Sequence, residues 1–173
     1  DTPMRERRPE SHGVHSIFED IEGSIWIGSF GLHRILGRGH FRMFGKAQGL
    51  DPLAIWGITR DGEGTLWATT TKGLFRSNAT TGLFERVPAL ENKVLTTIFA
   101  DESGALVLGS RGTEIFWYFP KTGDLKSYPL PDALPDTRVI RLIAGPDKLL
   151  WAASTAGLYR SVDAAHPEQF IRI

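Results

Sequence analysis

The sequence predicts an all-β fold made of β-propeller blades, each of four antiparallel strands, and three observations carry that expectation. Apolar landmarks recur at Ile17, Ile58, Ile98 and Leu142, at steps of 41, 40 and 44 residues, which is a blade-sized period. The same spacing carries the apolar triplets Ile25-Trp26-Ile27, Leu66-Trp67-Ala68, Leu106-Val107-Leu108 and Leu150-Trp151-Ala152. After three of these triplets comes Gly-Leu-x-Arg, beginning at Gly31, Gly73 and Gly157.

Each unit divides into four strands in order. Between the landmark and the triplet lies a turn, Asp20-Ile-Glu-Gly23, Asp61-Gly-Glu-Gly64 and Asp101-Glu-Ser-Gly104. There Asp can bond the backbone just ahead of it and Gly accepts positive φ, so the turn closes a first hairpin. The Gly-Leu element opens the third strand. Thr81-Gly82 and Thr122-Gly123 then signal a second hairpin into the alternating segments Leu83–Val87 and Leu125–Tyr128. In the second unit the strands fall near 55–60, 65–70, 73–77 and 83–87. The blades span about 14–44, 54–87, 94–130 and 138–173, with 1–13 as a connection or the remnant of a preceding blade.

Three consecutive apolar residues in the second strand break one-sided alternation, so both faces of that strand are expected to be covered. A lone sheet cannot do this, and neighbouring units must stack. Trp26, Trp67 and Trp151 are expected to fill the layers between blades. In the third unit, where Val107 replaces the indole, Trp117 from Ile115-Phe-Trp-Tyr-Phe119 is placed to fill the space. The fourth unit has Gly145-Pro-Asp-Lys148 in place of the Asp turn.

Composition narrows the function classes. Twenty basic and twenty acidic residues cancel, so no net field draws nucleic acid or an anionic membrane. No apolar run approaches the roughly 20 residues that cross a bilayer, and no direct membrane contact is expected. With no cysteine, disulfides and thiolate metal sites are excluded and stability must come from packing. A chain that opens on Asp1 without Met or leader reads as a mature or excised piece.

The string Val14-His-Ser-Ile-Phe-Glu-Asp-Ile-Glu-Gly-Ser-Ile-Trp-Ile-Gly-Ser-Phe-Gly-Leu32 resembles the two-component regulator propeller repeat, and residues 55–76 repeat it. The resemblance weakens over the rest of 14–173: the third unit has Gly-Thr113 in place of Gly-Leu, and the fourth lacks the Asp turn. It implies a periplasmic sensor propeller that binds a ligand or partner outside and regulates a histidine kinase or other output domain inside. It also implies more than four blades, so the chain reads as part of a larger ring. Open end blades would then self-associate, or the four blades would close compactly.

Catalytic and metal chemistry find little support. His12 and His15 lack the helical spacing of zinc hydrolases, and no metal or other cofactor is expected. Asp20, Asp61 and Asp101 recur once per blade, which suits turn capping rather than a catalytic acid needed once. No phosphate loop, nucleophile elbow or triad is recognisable. Asn78-Ala-Thr80 reads as turn chemistry, and Ile115–Phe119 as core rather than a sugar platform. The expectation is a non-enzymatic module. The alternatives are a propeller lyase resembling streptogramin lyase, to which Gly123–Pro131 is faintly similar, and a pure protein-interaction scaffold.

Propellers bind at one end of the central channel, on loops between blades and on second-to-third-strand turns. Those loops are about 45–54, 88–93 and 130–138, and the turns contribute Phe30, Lys72, Arg111 and Thr155. From them Lys72, Arg111, Asp51, Asn92 and Arg138 are the candidate ligand-binding residues around one rim. They suit an oligosaccharide or other polar small ligand, or another domain or subunit of the same sensor, including a second copy.

Overall fold

The computed structural model describes residues 13–36, 40–50, 54–164 and 166–173. Asp51 and residues 1–12, on which the binding and remnant-blade expectations partly fell, lie outside them. Four antiparallel four-stranded sheets follow one another, each a simple meander. The first holds β1 (Ser16–Glu19), β2 (Ile25–Ser29), β3 (Gly31–Leu36) and β4 (His40–Phe44); the second β5 (Ile55–Arg60), β6 (Leu66–Thr70), β7 (Gly73–Ser77) and β8 (Phe84–Arg86). The third holds β9 (Leu95–Ala100), β10 (Leu106–Ser110), β11 (Glu114–Phe119) and β12 (Asp124–Pro129); the fourth β13 (Val139–Ala144), β14 (Leu150–Ser154), β15 (Gly157–Ser161) and β16 (Phe170–Arg172).

The recurring turn explains both the Asp and the Trp of the repeat. Asp20 Oδ1 accepts the backbone N–H groups of Glu22 and Ser24, while Oδ2 accepts Trp26 Nε1–H at 2.8 Å. Asp61 does the same with Glu63, Thr65 and Trp67 Nε1. Asp101 caps Ser103 and Ala105, with Val107 where the indole would stand. Gly23, Gly64 and Gly104 close these turns at φ between +75° and +86°, the region glycine enters without a Cβ penalty. In the fourth blade Lys148 takes the left-handed position at φ +62°, and its turn is held by Leu149 N–H to Asp147 Oδ1 at 3.2 Å.

Stacking forms three apolar seams. Trp26, Leu32 and Phe44 of the first blade meet Ile55, Ile58, Leu66, Ala68, Phe75 and Phe84 of the second. Trp67, Leu74 and Val87 meet Leu106, Leu108, Phe116 and Tyr118. Val107 and Trp117, cross-strand partners, meet Leu142, Leu150, Ala152, Tyr159 and Phe170, so Trp117 does fill the space beside Val107. The blades approach closely: a Cβ on Gly28 would come within 2.8 Å of the Ile55 carbonyl. The second strands of the two middle blades are buried along their whole length, whereas those of the first and last alternate.

The expected partial ring is borne out, and two finer expectations are corrected. The four sheets do not close on themselves, so the compact four-bladed alternative falls and the array has an open face at each end. For the same reason Trp151 lies in no formed seam. It sits half-buried on the free face of the last blade, under the Arg160 guanidinium at 5.7 Å.

Candidate functional site

The innermost strands β1, β5, β9 and β13 stand side by side around the propeller axis and line one cavity of about 790 Å³. As edge strands they pair on one side only, so unpaired peptide groups face the axis. At the mouth, three of them carry a β-bulge. Trp56 is the extra residue between Ile55 and Gly57, Thr96 between Leu95 and Thr97, and Ile140 between Val139 and Arg141. A bulge leaves its extra residue out of the ladder and re-aims the side chain, and all three line the cavity together with His15 of the first blade.

These four residues differ although the scaffold beneath them repeats. His15 stacks on Trp56 with ring centroids 4.3 Å apart at 34°, and Phe30 meets His15 edge-on at 6.2 Å. Phe30 is held there by a backbone bridge to Ala54. Trp56 Nε1–H is buried without an acceptor, a position that costs free energy unless something supplies one. Thr96 Oγ1 donates to the Val139 carbonyl, which ties the third blade to the fourth at this level. Among the described residues no carboxylate lines the cavity; its cations are Arg60, Arg138 and Arg141, and Arg60 is already paired with Asp20 at 3.0 Å.

The rim residues expected from sequence fall into two backbone-linked pairs. Asn92, in the left-handed region at φ +63°, donates its N–H to the Lys72 carbonyl at 3.2 Å. Arg111 and Arg138 form an isolated β-bridge, and Arg138 N–H also reaches Thr155 Oγ1 at 2.9 Å. Lys72, Arg111 and Arg138 are exposed. Of these four only Arg138 lines the cavity; Lys72, Asn92 and Arg111 stand outside it on the rim. Sequence reasoning missed His15 and Trp56. The available signal was a large aromatic and a His preceding the landmark, where the other blades have Thr96 and Ile140.

Other clusters are internally satisfied. A second cavity of about 470 Å³ between the Asp turns of the middle blades contains Asp61, Glu63, Arg76 and Glu85. Asp61 caps its turn, Glu63 pairs with Lys121 at 3.3 Å and Glu85 with Arg76 at 3.0 Å. Asn78 Nδ2 and Arg76 hold the Glu85 carboxyl below its ordinary range, and Asn78 Oδ1 caps its own turn. Among the described residues no cluster of three or more His, Asp or Glu could hold a metal ion, and no helix is long and apolar enough to cross a membrane.

The two component regulator propeller family model matches residues 9–31, so the resemblance of the first blade is borne out there. No curated protein matches the chain in sequence. The extracellular domain of a putative one component system, BT4673 of B. thetaiotaomicron, superposes with a TM-score of 0.76 at 23% identity, over 96% of this chain and 23% of that one. That of a putative hybrid two component system, BT3049 of the same organism, gives 0.70 at 24%, over 88% and 22%. Virginiamycin B lyase from Staphylococcus aureus gives 0.76 at 18%, over 96% and 57%. The chain thus spans about a fifth of the sensor domains and rather more than half of the lyase. At these identities the likeness is one of fold: this is a propeller array of the kind found in two-component sensor domains and in streptogramin lyases.

Proposed function

We propose that the array is part of the periplasmic, non-enzymatic input region of a two-component-type signalling protein, and that it recognises a polar ligand, such as an oligosaccharide, at the channel mouth. One observation carries this reading: the scaffold repeats from blade to blade while the four bulge-level residues, His15, Trp56, Thr96 and Ile140, do not. A feature that serves only stacking is expected in every blade. A stacked aromatic pair with an unmet indole donor, lining with Arg138 a cavity that carries no carboxylate among the described residues, suits recognition. The matched repeat and the extracellular sensor domains support the signalling context. Binding then acts by differential affinity, favouring one arrangement of blades or domains and so biasing the output.

The reading is tested in a full-length signalling protein that carries this array. Trp56→Ala with Arg138→Gln is expected to abolish inducible output while protein level and melting temperature hold. Unchanged induction contradicts it. Incubating the array with quinupristin, the compound present in the structure of a catalytically inactive virginiamycin B lyase from Staphylococcus aureus, addresses the rival lyase: chemical conversion of the compound overturns the non-enzymatic assignment.

A further inference from the structure

Two arginines stand opposite each other across the seam between the third and fourth blades. Arg111, in the turn between β10 and β11, and Arg138, just ahead of β13, form an isolated antiparallel bridge. The Gly112 N–H to Thr137 carbonyl bond at 2.7 Å brackets them. That is the pattern of a non-hydrogen-bonded pair, the type whose side chains stand closest. Further backbone bonds fix both residues: Arg111 N–H to the Val94 carbonyl at 2.9 Å, and Thr155 N–H to the Arg138 carbonyl at 3.0 Å. The strands on both sides of this seam are described, so no further blade is needed to form it.

Stacking asks for no charge at these positions. In the first seam the same bridge, from the turn after β2 to the residue ahead of β5, joins Phe30 to Ala54. Like charges directly opposite in an antiparallel pair oppose the pairing. Among the described residues neither guanidinium enters an ion pair, and both residues are exposed. Arg138 lines the cavity of the mouth, where Trp56 Nε1–H is a buried donor without an acceptor. Donors are thus in excess at the mouth, and the oxygens of an anionic group, which only accept, are what they lack.

We propose that Arg111 and Arg138 together clamp one anionic group of the ligand, a carboxylate or a sulfate, so that the mouth takes an acidic rather than a neutral oligosaccharide. The clamp rests on the mouth being the recognition site, and it adds the charge of what is recognised and a second arginine, Arg111, outside the cavity. Guanidinium forks hold such groups bidentately. An anion between the two turns mutual repulsion into shared attraction.

The test is a glycan array probed with the 173-residue chain and carrying matched pairs: oligogalacturonides with free or methyl-esterified carboxyls, and carrageenan oligosaccharides with their sulfates kept or removed. The glycans retained by the parent are expected to be acidic, and the neutral member of each pair to be lost; the first pair reads out a carboxylate, the second a sulfate. Arg111→Gln and Arg138→Gln are each expected to weaken retention at least about tenfold. Lys126→Gln, on the outer strand β12 over the Phe119 ring, is expected to leave it unchanged. Arg111→Gln relieves repulsion and is expected to melt no lower than the parent, so lost retention is not lost fold. Neutral glycans retained by the parent, lost with Trp56→Ala and kept with Arg111→Gln, overturn the clamp and leave recognition at the mouth standing. Acidic glycans lost equally with Lys126→Gln reveal a diffuse field and overturn the clamp as well. A parent that retains nothing overturns both.

Discussion

At the scale of single residues, the repeated acids are structural, and the unrepeated aromatics are the ones proposed for recognition. Asp20 shows why. Burial opposes its ionisation, yet the Trp26 indole N–H, the Ser24 backbone N–H and the Arg60 guanidinium together hold its carboxyl below the ordinary value of 3.8. A carboxyl depressed in the folded state contributes stability that is present above its unfolded value and is lost as pH falls through the folded one. Asp20→Asn is therefore expected to lower the melting temperature at pH 7 and to flatten the loss of stability below about pH 4. Thermal melts from pH 7 to 3 check this; parallel curves for parent and variant would contradict it. The turn role of these acids was legible from their recurrence. The indole bond was not, because it depends on the side-chain direction that the hairpin imposes.

At the scale of the strand and sheet, burial of the second strand states how many neighbours a blade has. Leu66–Thr70 and Leu106–Ser110 are buried throughout, while Ile25–Ser29 and Leu150–Ser154 alternate because one face of each is open. The sequence pattern is the same in all four, so the triplet registers what a blade is built to stack against. Strand positions in the second blade were read almost to the residue, since tight turns at Gly64 and Gly73 fix both ends of β6. The bulges at Trp56, Thr96 and Ile140 were not legible, because a bulge is a property of pairing between strands and leaves no period in either one. The seams make a graded prediction. Trp67→Ala, 2% exposed between two blades, is expected to cost about 3–5 kcal/mol, and Trp151→Ala, on an open face, less than half of that. Chemical denaturation checks the order; equal losses would contradict the placement.

At the scale of the whole molecule, four blades give an arc with a common inner wall, and that wall turns a repeat into a site. The fold was legible from the period, and the end of the channel proposed for the candidate site follows from where the inter-blade loops fall. The membership of the site was only partly so. Arg138 faces the cavity, Lys72, Asn92 and Arg111 ring it, and His15 and Trp56 entered through strand ends rather than loops. Which side chains converge depends on how four inner strands are arranged about one axis, and no single blade encodes that. The central claim is that the unrepeated residues at the mouth recognise the ligand. It is tested most directly by a glycan array probed in parallel with the parent chain and with Trp56→Ala at matched melting temperature. The account predicts at least one oligosaccharide retained by the parent and lost by the variant. The same pattern for both, or no retention by the parent, would contradict it.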